Sequence, residues 1–81
     1  MDPADIKARL RRFICVDLMR DPSYPLGDDE SLMSGGLIDS FCVAHISVFI
    51  ENAFGVYIPD PDLTVEQMDT LDRIAARILL G

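Results

Sequence analysis

Histidine occurs once in this chain, at His45, and cysteine twice, at Cys15 and Cys42. A lone imidazole without a partnered nucleophile excludes a hydrolytic triad, and neither a Gly-x-Ser-x-Gly elbow nor a phosphate-cradling P-loop occurs. Cys42 and His45 are spaced to share a metal on one helix face. Only Cys15 remains as a further soft ligand, short of the four that structural zinc takes, so no metal site is expected. Two cysteines inside apolar-periodic stretches are too few for a disulfide framework. They read as buried free thiols, which points to a reducing compartment and a cytoplasmic protein.

Lysine and arginine are absent from Asp21 to Asp72, while all but Asp2, Asp5 and Asp17 of the 14 acidic residues fall there. The formal net charge is −7. A field of that sign repels phosphate backbones and excludes nucleic acid as a partner, while it speeds encounter with basic protein surfaces. Long apolar runs are also missing. The longest, Phe41 to Ile50, contains His45 and Ser47 and is far too short to span a bilayer. The Met-Asp-Pro-Ala-Asp start has no basic or apolar leader character, so neither a signal peptide nor membrane attachment is expected.

What is present suits one small domain over residues 1–81. Apolar residues make up 49% and charged residues 26% of the 81, a balance that folds and does not stay disordered. A core of that size cannot enclose a large catalytic cleft, so the chain reads as a monomeric non-enzyme.

The first helix has Asp2 as its cap, Pro3 at its first position and Asp5 near its positive end. Ile6, Leu10, Phe13, Ile14 and Leu18 form its core stripe, basic residues fill the other face, and Asp21-Pro22 ends it. From Asp21 to Asp39, Pro22, Pro25, Gly27, Gly35 and Gly36 predict a long loop, pinned to the core by Tyr24, Leu26, Leu32, Leu37 and Ile38. Its acids Asp28, Asp29 and Glu30 are expected in solvent. The second helix starts at Asp39-Ser40, buries Val43, Ile46, Ile50 and Ala53 or Phe54, and stops at Gly55. A second row on it, Phe41, His45, Val48 and Asn52, points away from the core.

Val56-Tyr57-Ile58 is too short for a strand. A brief helix follows with Thr64 as cap and Gln67 as its reciprocal partner. A last helix is capped by Thr70 and carries Leu71, Ile74, Ala75, Ile78 and Leu79 on one face. The fold class is all-α: a four-helix bundle, three longer helices and one short, with a long loop between the first two. Asp60-x-Asp62-x-Thr64-x-Glu66 superficially suggests a calcium loop, but Val65 and Leu71 stand where that loop needs Gly and Glu.

The chemistry centres on Gly36-Leu37-Ile38-Asp39-Ser40-Phe41. A serine in the first turn of a helix is exposed, and a phosphate on its oxygen would be favoured by the helix dipole and free backbone N–H groups. Asp39 caps the helix and can hold a divalent metal during phosphoryl transfer. Asp39-Ser40 by itself is simply a good helix start.

The whole pattern resembles the acyl carrier and peptidyl carrier protein family. It runs from the helix and long acidic loop, through Asp39-Ser40, to Glu51-Asn52-Ala53-Phe54-Gly55-Val56-Tyr57-Ile58-Pro59-Asp60, Asp62-Leu63-Thr64 and the Thr70-Leu71 helix. The resemblance implies that Ser40 receives 4′-phosphopantetheine from coenzyme A through a phosphopantetheinyl transferase assisted by Mg²⁺. The arm then carries an acyl or aminoacyl group as a thioester. Implied partners are an adenylating acyl or aminoacyl ligase or an acyltransferase, and downstream enzymes of fatty-acid, polyketide or nonribosomal-peptide-like biosynthesis.

Two departures refine this. The family commonly has Leu-Gly-x-Asp-Ser, whereas Gly36-Leu37-Ile38-Asp39-Ser40-Phe41 looks more like D-alanyl carriers and free-standing carriers served by adenylating ligases. Between Ser40 and Glu51 there is no acid, unlike the acidic second helix usual in fatty-acid carriers. Docking is therefore expected through the more apolar row Phe41, His45, Val48 and Asn52, with the acids moved to loops, among them Asp60 and Asp62. The alternative is an unmodified domain of the same fold that serves as an acidic interaction adaptor.

Overall fold

A computed structural model describes residues 2–81. Among them are four α-helices and no strand: α1 (Pro3–Phe13), α2 (Cys42–Phe54), the single-turn α3 (Val65–Met68) and α4 (Leu71–Leu80). A π-helical turn (Ile14–Leu18) extends α1, and a 3₁₀ turn (Asp60–Asp62) precedes α3. The all-α bundle, with three longer helices and one short, is thus the observed architecture. No helix among the described residues is long and apolar enough to cross a membrane.

Caps lie where the residue types place them. The Asp2 carboxylate accepts from Ala4 N at 3.1 Å, Thr64 Oγ1 from Gln67 N at 3.2 Å and Thr70 Oγ1 from Arg73 N at 3.1 Å. Each satisfies an amide that a helix start otherwise leaves free. Gly55 closes α2 in the left-handed conformation, and its N–H bonds Glu51 O at 3.0 Å.

The end of α1 departs from the expected regular stripe. The ladder widens at Ile14, whose carbonyl accepts from Met19 N five residues on, at 2.8 Å. Ile14 and Cys15, at the start of this turn, are both buried in the core. Leu18 and Phe13 are only half-buried. The helical segment ends before Asp21-Pro22, because Arg20 takes a left-handed turn at φ 56°.

The core joins Ile6, Leu10 and Ile14 to Ile46 and Ile50 of α2 and to Leu71, Ile74 and Ile78 of α4. Ala75 completes the α4 stripe, but Leu79 falls outside it and is 46% exposed. Val43, Ala53 and Phe54 of α2 are half-buried. Phe13 stacks on Phe49 at 4.3 Å, and Phe54 meets Phe49 edge-on at 6.0 Å.

The long loop is pinned as its apolar residues foretell, with Leu26, Leu32 and Ile38 buried and Tyr24 and Leu37 half-buried. Its acids are not all solvated. Asp28 is paired with Lys7 Nζ at 3.1 Å and with the Arg11 guanidinium, and Lys7 also reaches Asp72 at 3.0 Å. Glu30 accepts from the Tyr24 hydroxyl and from Gly27 N at 3.1 Å. These bonds hold the Glu30 carboxyl below its ordinary range, Tyr24 contributing most, and raise the Tyr24 phenol. Only Asp29 of the three is exposed. So Lys7 and Arg11 do not form a free basic face; they strap the loop to α1.

Two glycines set the path of the loop toward α2. A Cβ on Gly35 would lie 2.3 Å from the Ser31 carbonyl oxygen, and Gly36 has φ +79°. Neither geometry suits another residue.

Candidate functional site

The chain approaches α2 along Leu32–Ile38, fixed by both backbone and side chain. Leu37 N and Ile38 N bond the Leu32 carbonyl at 2.9 and 3.0 Å, and Leu32 N bonds Asp69 O at 2.7 Å. The Asp69 side chain holds the same stretch. Its Oδ1 accepts from Met33 N at 2.8 Å and Ser34 N at 3.0 Å, and its Oδ2 from Ser34 Oγ at 2.7 Å. Asp69 is 5% exposed. Burial pushes its carboxyl up, but the Ser34 and Met33 bonds outweigh that and leave it below the ordinary value of 3.8. In the sequence Asp69 is one acid among the many of this acidic stretch. Its place just before the Thr70 cap was the sole local hint of a special role.

Ser40 lies beyond this clamp. The regular helix begins at Cys42, not at Asp39-Ser40, because the preceding bonds have tighter three-residue spacing. Cys42 N reaches Asp39 O at 2.9 Å, Val43 N reaches Ser40 O at 3.3 Å and Ala44 N reaches Phe41 O at 3.3 Å. Asp39 still caps, its Oδ1 accepting from Phe41 N at 3.1 Å. The Ser40 hydroxyl donates to the same Oδ1 at 3.4 Å, a long bond between two exposed side chains. The free amides expected around Ser40 are therefore largely used within the turn. What remains at the site is an uncovered hydroxyl beside a carboxylate, at the positive end of a 13-residue helix.

The four residues of the second row are all exposed, Phe41 at 83% and Val48 at 59%, with His45 and Asn52 beside them. The turn before α2 and the helix itself therefore bring Ser40 and this row together. The loop acids divide. Asp60 is exposed, whereas Asp62 is half-buried and ion-paired with Arg77 at 3.1 Å. Asp62 thus braces the 3₁₀ turn to α4 and is not a free docking acid. Neither acid makes a hydrogen bond or ion pair with α2 among the described residues.

Cys15 is buried, and burial raises its thiol well ahead of the charges around it. Cys42, expected to be buried, is half-exposed on α2. Among the described residues, no three His, Cys, Asp or Glu side chains converge as a metal site. Asp39 stands alone, so it can supply one ligand to a metal held mainly by something else. No family model matches the chain, and no curated protein matches it.

Proposed function

We propose that the chain is a carrier protein that bears 4′-phosphopantetheine on Ser40 and presents an acyl or aminoacyl thioester to biosynthetic enzymes. One observation carries this reading. The Ser40 hydroxyl is exposed on a turn anchored at both ends, by Asp69 and Ile38 before it and by the buried face of α2 after it. A transferase can reach such a hydroxyl without unfolding anything. The residues present fit the arm, since no side chain covers Ser40 and a phosphodiester there would sit at the helix start.

The arm supplies a thiol that carries the acyl group as a thioester. Ser40 Oγ bonds phosphorus as the pyrophosphate bond of coenzyme A breaks, releasing adenosine 3′,5′-bisphosphate and passing the hydroxyl proton to a base of the transferase. Asp39, already bonded to the hydroxyl, would supply one oxygen to an Mg²⁺ held mainly by the transferase. The folded domain does no catalysis itself; a tether of fixed origin raises the local concentration of its cargo at each partner's site. Phe41, His45, Val48, Asn52 and Asp60 form the surface that partners meet, chiefly the transferase and an adenylating ligase or acyltransferase.

The test is an intact-mass measurement after incubation with coenzyme A, Mg²⁺ and a broad-specificity phosphopantetheinyl transferase. Addition of one phosphopantetheine, lost in Ser40→Ala, is expected. No addition with several transferases would favour the unmodified adaptor.

A further inference from the structure

Two depressions on the α1/α2 side of the bundle share Phe13, Phe49 and Ala53. One continues to His45, Val48 and Asn52 of α2, the other to Arg9, Arg12 and Val16 of α1 and its π turn. Together they make one open groove floored by the Phe13–Phe49 stack, with Val16 43% and Val48 59% exposed along it. A shallow trough between two helices suits the ridge of a third helix better than an enclosed small molecule.

Charge narrows the occupant. Lys7, Arg11 and Arg77 are taken by Asp28, Asp72 and Asp62, and Arg9 pairs with Asp5 at 3.3 Å. Arg12 is exposed and has no carboxylate partner among the described residues, in a chain of net charge −7. Asp17 lies on the same groove, also without a basic partner. Among the described residues, Arg20 and Arg73 also lack a carboxylate partner but do not line this groove, so along it the place left for an incoming carboxylate is Arg12, with Arg9 beside it.

We propose that this groove docks an amphipathic helix of a partner protein, with apolar anchors at i, i+3, i+4 and i+7 on the phenylalanine stack and a Glu or Asp facing Arg12. His45, Val48 and Asn52 of the exposed row lie along one bank, so the inference deepens the docking face of the carrier reading and rests on it. It does not require Ser40 to be modified.

Two synthetic helical peptides test it, sharing one leucine stripe and differing only in Glu or Lys along one flank. Each is titrated into the full-length isotope-labelled protein at physiological salt, where the screening length is about 8 Å. The Glu peptide should shift the amides of Arg12, Val16, Val48, Phe49 and Asn52 and bind about threefold tighter than its Lys counterpart, the scale of one exposed ion pair. Arg12→Glu should reverse that preference, and Val48→Asp, at an exposed position, should weaken both peptides. Ser40→Ala should titrate like the parent. Equal or tighter binding of the Lys peptide, shifts centred elsewhere, no shifts, or self-association through the same amides would overturn the proposal. Phosphopantetheine addition at Ser40 would be untouched by any of these results, so the two failures are distinguishable.

Discussion

Replacing Asp69 with alanine removes the acceptor that fixes the loop leading to Ser40. Three donors lose their partner: Met33 N, Ser34 N and Ser34 Oγ, at 2.8, 3.0 and 2.7 Å. The hydroxyl can rotate toward water, because Ser34 is exposed. The two amides are part-buried and cannot turn, so each lost partner costs about 1–2 kcal/mol, the lower part of the range for a buried donor. A loss of about 3 kcal/mol is therefore expected, a large share of the ~5–15 kcal/mol that holds a small domain together. With a urea slope of about 1 kcal/mol/M for a chain of this size, the midpoint should fall by about 2–3 M. Asp69→Asn keeps one carbonyl oxygen for the two amides and should lose only about 1 kcal/mol. Acid dependence adds an independent readout. Asp69 has a folded value below the ordinary 3.8, so its contribution is complete above that pH and is lost as pH falls through the lower folded value. Asp69→Asn should flatten that acid limb. If Asp69→Ala shifts the midpoint by less than about 0.5 M, the clamp is not what orders the loop.

Other substitutions probe separate parts of the account. Gly35→Ala places a Cβ 2.3 Å from Ser31 O and should cost about 2–3 kcal/mol, measured by urea denaturation. Gly36→Ala, which meets open space but has φ +79°, should cost less, about 1–2 kcal/mol. Asp62→Leu leaves the mostly buried Arg77 unpaired, with Nη1 already lacking a partner, and should lower stability by about 2 kcal/mol. Adding Arg77→Met should recover much of that loss in thermal melts.

The elements were largely legible because they rest on local signals. Thr64, Thr70 and Asp2 cap, Gly55 stops α2, and the α4 stripe from Leu71 to Ile78 follows helical spacing. The exposed row on α2 was legible for the same reason, since burying Ile46 and Ile50 turns Phe41 and Val48 outward. Misses arose where the outcome depends on distant partners. Asp28, Asp62 and Asp69 carry no local sign of a partner, yet each meets groups from 15 to 36 residues away that local spacing does not pair with it. The widened turn at Ile14 has no signature in the local spacing, which continues the stripe of α1 into Ile14 and Leu18. Asp39 signalled a cap correctly, but tight turns move the regular helix two residues beyond the expected start. That shift also uses the amides the sequence left free at Ser40.

Ser40 as the attachment point is the central claim, and fragment-mass analysis of the transferase-treated protein tests it most directly. One phosphopantetheine should appear, carried by the peptide containing Ser40 and by no other. Ser40→Ala should stay unmodified while unfolding within about 0.5 kcal/mol of the parent, as an exposed substitution does. An unmodified parent, or an arm found on Ser31, Ser34 or Ser47, would contradict the account.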